Sequence, residues 1–194
     1  MDELKKSIGY LQEFEKALLE KFHYIVNEDG TYTVTAWKKE YRSENAVIIP
    51  PNVTKIERLA FNGWRFKTLV LPEGLLEIGE YAFSSNNGLE RVEFPSTLIS
   101  IGSDAFWNCR NLREVVFNNG LKEIGKGAFE LCSSLEKIVI PKSVEKIEGN
   151  AFENCSKLRD IFCEAEEKPE GWDENWLSYF VRGKNVHWGK SSLE

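Results

Sequence analysis

Apolar and polar positions along the chain fall into a unit that returns every 22 to 23 residues. Its most regular mark is the pair Ala-Phe, at Ala60-Phe61, Ala82-Phe83, Ala105-Phe106, Ala128-Phe129 and Ala151-Phe152, with spacings of 22, 23, 23 and 23. Ten residues before each Ala stands Pro50, Pro72, Pro95, Asn118 or Pro141. An alternating apolar pair leads into each of these: Val47/Ile49, Leu69/Leu71, Val92/Phe94, Val115/Phe117 and Ile138/Ile140. Period two predicts a short strand that opens every unit. Proline, which has no amide donor, ends its pairing. Further along the unit, Leu98 and Ile101 point inward from a second short extended segment. Gly102 allows a bend that a Cβ would crowd, and Ala105-Phe106 turns the chain back. Self-similarity at this period predicts a solenoid of stacked coils with parallel strands ~4.8 Å apart and an internal column of Phe rings. Each coil buries its apolar side only against its neighbours.

The stack has two ends, and each would expose core and an unpaired strand edge unless covered. A sixth opening strand, Ile161-Phe162-Cys163, is followed by Glu164 in place of Pro and by no Ala-Phe, so the repeat stops there. At the front, Leu4, Ile8, Leu11, Phe14, Leu18 and Phe22 recur at helical spacing, and Tyr24 to Trp37 reads as a hairpin turning at Asn27-Glu28-Asp29-Gly30. The helix is expected to pack on the first coil; pairing with a second copy of the chain is the alternative. These signals divide the chain into a helix and hairpin cap (1–44), the repeats (45–164), and a Trp-rich cap and tail (165–194).

The frame L-x-x-V-x-F-P-x-x-L-x-x-I-G-x-x-A-F-x-x-C resembles the BspA-like leucine-rich repeat over roughly residues 45–164. The closing segment is similar to the terminal cap of bacterial members of that family, through Cys163-Glu164-Ala165, Pro169, Gly171-Trp172, Trp176, Val186 and Trp188-Gly189. The resemblance implies a leucine-rich-repeat solenoid of about five full repeats plus a terminal strand. Proteins of this kind are often secreted or displayed on the cell surface, bind host or matrix proteins, and share no catalytic motif. It therefore implies a protein-binding module, adhesin-like in setting. Two departures predict a distorted first coil. The stretch from Phe61 to Phe66 is one residue short, and Glu57 stands where later repeats have Gly79, Gly102 and Gly125.

Composition narrows the partners. The chain has 194 residues, 42% of them hydrophobic and 29% charged, which fits one soluble domain with a sizeable core. A net charge of -6 and a pI near 5.2 disfavour nucleic acid, whose binding draws on clustered Lys and Arg. No stretch approaches the ~18 apolar residues needed to cross a bilayer. The N-terminal residues lack the apolar core of a signal peptide, so the chain as given reads as cytoplasmic, against the surface location the resemblance implies. A monomer is expected rather than a homodimer.

Candidate chemistry is sparse. Cys109, Cys132 and Cys155 recur once per repeat, with Asn86 in the same slot, and lack the paired spacing of zinc ligands. They read as a buried ladder of thiols. His23 and His187 lie in opposite caps, so neither a catalytic site nor a cofactor or metal site is expected. Exposed strand positions carry alternating charges, Lys67, Glu90, Arg113, Glu136, Arg159 in one row and Arg91, Glu114, Lys137, Asp160 in the next. Neighbouring rungs are expected to pair them. Between these rows, Ile48, Val70, Glu93, Val116, Val139 and Phe162 should point outward from one sheet face. Strand propensity alone would favour such residues; an apolar stripe rimmed by charge also fits a protein-binding face. Trp64 and Trp107, just after the Ala-Phe corners, are a second candidate surface, suited to a carbohydrate or cell-wall ligand. Trp172, Trp176 and Trp188 are expected to seal the last coil.

Overall fold

Every unit of the sequence makes one turn of a solenoid. The computed structural model describes residues 2–177 and 185–192, with side chains from Ser7 onward except Ile8. In chain order the elements are α1 (Asp2–Leu19), β1 (Phe22–Val26), β2 (Tyr32–Trp37), a 3-10 turn (Lys39–Tyr41), β3 (Ala46–Ile48), β4 (Val53–Ile56), β5 (Thr68–Val70) and β6 (Glu77–Ile78). There follow β7 (Arg91–Glu93), β8 (Ser100–Ile101), β9 (Glu114–Val116), β10 (Glu123–Ile124), β11 (Lys137–Ile140), β12 (Lys146–Ile147), β13 (Asp160–Cys163) and β14 (Asn185–Trp188).

Odd-numbered strands from β3 onward form one wall, the strand face, with parallel ladders β3-β5, β7-β9 and β11-β13-β14. The other even-numbered strands, with β1, form the opposite wall in the order β1-β2-β4-β6-β8-β10-β12, parallel throughout except for the antiparallel β1-β2 hairpin. A third ladder joins the coils at the Ala-Phe corners, where the amides of Phe61, Phe83, Phe106 and Phe129 donate to Ala82, Ala105, Ala128 and Ala151 carbonyls at 2.7 to 2.8 Å. Backbone donors and acceptors inside the stack are thus satisfied from coil to coil.

Between the walls lies the predicted column of rings. Phe61, Phe83, Phe106, Phe129 and Phe152 stack at 5.0, 5.2, 5.3 and 5.5 Å, with planes 3° to 18° apart. Edge-on rings close its two ends: Phe22 against Phe61 at 6.0 Å, and Trp176 against Phe152 at 6.1 Å. Close approach between coils explains the glycine row. A Cβ on Gly102 would lie 2.8 Å from backbone atoms of Gly79 and Glu80 in the coil before. The first coil keeps the same bond in spite of its glutamate: the Glu57 amide donates to the Val34 carbonyl at 2.8 Å, as Gly79 does to Ile56 at 2.7 Å. The neighbour there is a hairpin strand with a register shift, not another coil, so the expected distortion is absorbed in β2.

The residue before each Ala takes positive φ (Leu59, Tyr81, Asp104, Gly127, Asn150), and so does the residue two after each Phe (Gly63, Ser85, Asn108, Leu131, Asn154). The amides of nine of these residues, from Leu59 to Asn150, bond to the coil or cap that follows, for example Tyr81 to Ser103 at 3.0 Å and Leu131 to Glu153 at 2.9 Å. These bonds offset the roughly 1–2 kcal/mol that a left-handed conformation costs a residue with a Cβ.

The ends depart from the sequence reading. At the back, β14 adds a seventh rung to the strand face, and Trp172 bridges to Ile147 and extends the opposite wall by one position. Trp172 and Trp176 are buried, and the Trp172 indole donates to the Val144 carbonyl at 3.1 Å. Residues 178–184 and 193–194 of the expected cap lie outside the described residues. In front, the hairpin joins the wall opposite the strand face, so β3 pairs with β5 alone among the described strands. Leu18, Leu19 and Phe22 are buried, whereas Leu11 is 66% and Phe14 52% exposed. The helix therefore docks through Leu18 and Leu19 in its last turn, while Leu11 and Phe14 stay exposed instead of packing on the first coil as expected. Leu4 and Ile8 lie outside the described side chains. No helix among the described residues is long and apolar enough to cross a membrane.

Candidate binding surface on the strand face

Alternation turns every second strand residue away from the core. Val47, Leu69, Val92, Val115, Ile138 and Ile161 are buried, and their neighbours one residue on form the expected row. Ile48 (41%) and Val70 (46%) are exposed, Glu93 is exposed, and Val116 and Val139 are half-buried.

Phe162 departs from the row. It is 3% exposed, because the ring of His187 from the unforeseen rung β14 stacks on it at 4.8 Å with planes 14° apart. The stripe is also divided. Glu93 accepts a bond from Arg91 at 2.8 Å on its own strand, and this charged pair separates Ile48 and Val70 from Val116 and Val139.

The charge rows close less than expected. Arg91 pairs with Glu114 across one rung at 3.1 Å, and bonding to Glu93 first and Glu114 second raises the Arg91 pKa. Asp160 accepts from His187 Nε2 at 2.9 Å and Asn185 Nδ2 at 3.3 Å, and these bonds hold its carboxyl below the usual carboxylate range. Lys67, Glu90, Arg113, Glu136, Lys137 and Arg159 form no ion pair within 4.0 Å among the described residues. Around Val116 and Val139, walled by Val115, Phe117 and Ile138, lies a depression of about 820 Å³, rimmed by Arg113, Lys137, Lys157 and Arg159 together with Glu114, Glu136 and Asp160.

The tryptophan candidates are less open than expected. Trp64 is half-buried, with Trp37 stacked on it at 4.9 Å and the Arg42 guanidinium 5.9 Å from its ring centre. Trp37 comes from the hairpin, outside the repeat frame, so the period of the repeat says nothing of the cover on Trp64. Trp107 is half-buried on its corner. The four cysteines are buried and free of disulfides, and the described residues hold no group of three or more potential metal ligands.

Stacked coils of about 23 residues, with parallel strand ladders on two walls and a Phe column between them, define a leucine-rich-repeat solenoid. The chain belongs to the BspA type leucine-rich-repeat family, whose model matches residues 37–159 with six copies of the repeat. No curated protein matches the chain. Among solved structures it is similar to the leucine-rich-repeat protein of T. pallidum (TpLRR), at 29% identity and TM-score 0.67, over 74% of this chain and 69% of that one. It is also similar to the pneumococcal vaccine antigen PcpA, at 27% identity and TM-score 0.55, over 79% of this chain and 35% of that one. A leucine-rich-repeat protein from Eubacterium ventriosum shares the fold at 22% identity and TM-score 0.60, over 75% of this chain and 41% of that one. Leucine-rich-repeat proteins are generally protein-interaction modules and typically non-enzymatic.

Proposed function

We propose that this chain is a non-enzymatic recognition module that binds a protein partner on the strand face, centred on Val116 and Val139, with Ile48 and Val70 as a second, smaller apolar contact. The observation that carries this reading is the depression with an apolar floor and a charged rim, the anatomy of a protein interface with a hydrophobic centre and polar edge. Solenoids use such extended faces for binding, because the repeats align equivalent positions into one surface. An adhesin-like role at a cell surface is the setting we propose, in keeping with where proteins of this family are often found. The carbohydrate reading is weaker: one face of Trp64 is already occupied by Trp37.

The test is Val116→Asp combined with Val139→Asp. A partner captured by the intact chain should bind this variant at least about tenfold more weakly, a loss of about 1.4 kcal/mol or more, while circular dichroism remains that of the folded parent. Unchanged affinity in the folded variant contradicts the proposal.

A further inference from the structure

The rim of the depression is unevenly charged. Arg113, Lys137, Lys157 and Arg159 stand around it, and none lies within 4.0 Å of a carboxylate among the described residues. The acids that share their rungs are drawn away: Glu114 is held by Arg91 at 3.1 Å, and Asp160 by His187 at 2.9 Å. Glu136 is left as the one rim carboxylate without an ion pair among the described residues. Four cations thus face outward beside an apolar floor, on a chain whose net charge is -6.

From this we infer that the partner segment seated here is a peptide stretch carrying carboxylates beside an apolar side chain; the inference rests on the strand-face reading above. Arg113 and Arg159 occupy the same row two rungs apart, roughly 10 Å at the spacing of parallel strands, so one segment can offer a carboxylate to each. Guanidinium groups match carboxylates with paired hydrogen bonds. Val116 and Val139 select the apolar neighbour, which a phosphodiester or an anionic sugar chain would leave unmatched. Elsewhere the negative net charge repels such a segment, so electrostatics steer it to this spot.

The experiment selects a displayed library of random 12-residue peptides on the intact chain. Recovered peptides should be enriched in Asp or Glu next to Leu, Ile or Phe. A synthetic copy of the strongest should lose affinity about tenfold on Arg113→Glu with Arg159→Glu, and also as salt rises, because exposed charges are screened. The neutral pair Arg113→Gln with Arg159→Gln, checked by circular dichroism, gives a smaller loss of the same sign and keeps the test readable if the reversed pair does not fold. Peptides without acidic bias that are lost on Val116→Asp with Val139→Asp but not on the arginine changes overturn the acidic partner and leave the strand-face reading standing. Peptides indifferent to both pairs of changes overturn both. Recovery of no acidic binder overturns the inference, as does heparin binding at the arginines with no peptide selected, which assigns the site to an anionic polysaccharide.

Discussion

Cys109, Cys132 and Cys155 each donate an Sγ–H to a carbonyl in the coil before, those of Phe83, Phe106 and Phe129, at 3.3, 3.3 and 3.1 Å. Burial pushes the Cys109 and Cys163 thiols up to about 12, and Cys132 up as well, so these are packing groups and not nucleophiles. Asn86 holds the same slot with a poorer fit. Its Oδ1 accepts from the Gly88 amide at 3.3 Å, but its Nδ2 is buried with no partner among the described residues. A buried donor left unmade costs about 1–3 kcal/mol. Asn86→Cys should therefore raise the unfolding free energy in urea by about 1 kcal/mol; a fall would mean that the amide is satisfied in solution. Asp160 makes a pH-dependent contribution. Its carboxyl titrates below the ordinary range because of His187 and Asn185, so the stability it adds is complete above that ordinary range and is lost as pH falls through the depressed value. Asp160→Asn should lower the Tm at neutral pH, with the gap to the parent closing in acid; a gap independent of pH would contradict this.

The elements were legible to different degrees, for physical reasons. Strand positions could be read because Val92/Phe94 and its equivalents alternate, and burial of one side demands alternation. The left-handed corners could not. Leu59, Tyr81 and Leu131 are residues no propensity would place at positive φ, and what holds them is an amide bond to a coil about 22 residues further on. The segment of β14 lacks the repeat frame and so reads from sequence only as part of a cap, yet it pairs with β13 through four residues and removes Phe162 from the surface. Helical spacing in α1 fixed the helix but said nothing about what its stripe would meet. Trp176→Ala, at the end of the Phe column, should cost about 3–5 kcal/mol. Leu11→Ser with Phe14→Ser, on the open part of α1, should stay within about 0.5 kcal/mol. Chemical denaturation compares the two, and a large loss from the helix pair would show that α1 folds back on the solenoid.

At the scale of the whole molecule, the period of the sequence determines nearly everything about shape and little about recognition. Ladders on two walls, a third at the corners and a closed ring column account for the repeats without recourse to chemistry. What scaffold requirements leave unexplained lies on one face, where Val116 and Val139 sit among cations whose acidic neighbours are engaged elsewhere. That arrangement depends on rotamers and on which of several acids each base meets, and neither is encoded in the alternation of signs along the rows. The central claim is that the partner sits on this face, and a photo-crosslinking residue tests it most directly. Placed at Val139 in the intact chain, it should form an adduct with the bound partner, while the same group at Ile99, exposed on the opposite wall, should form none; adducts from Ile99 and not from Val139 would contradict the account.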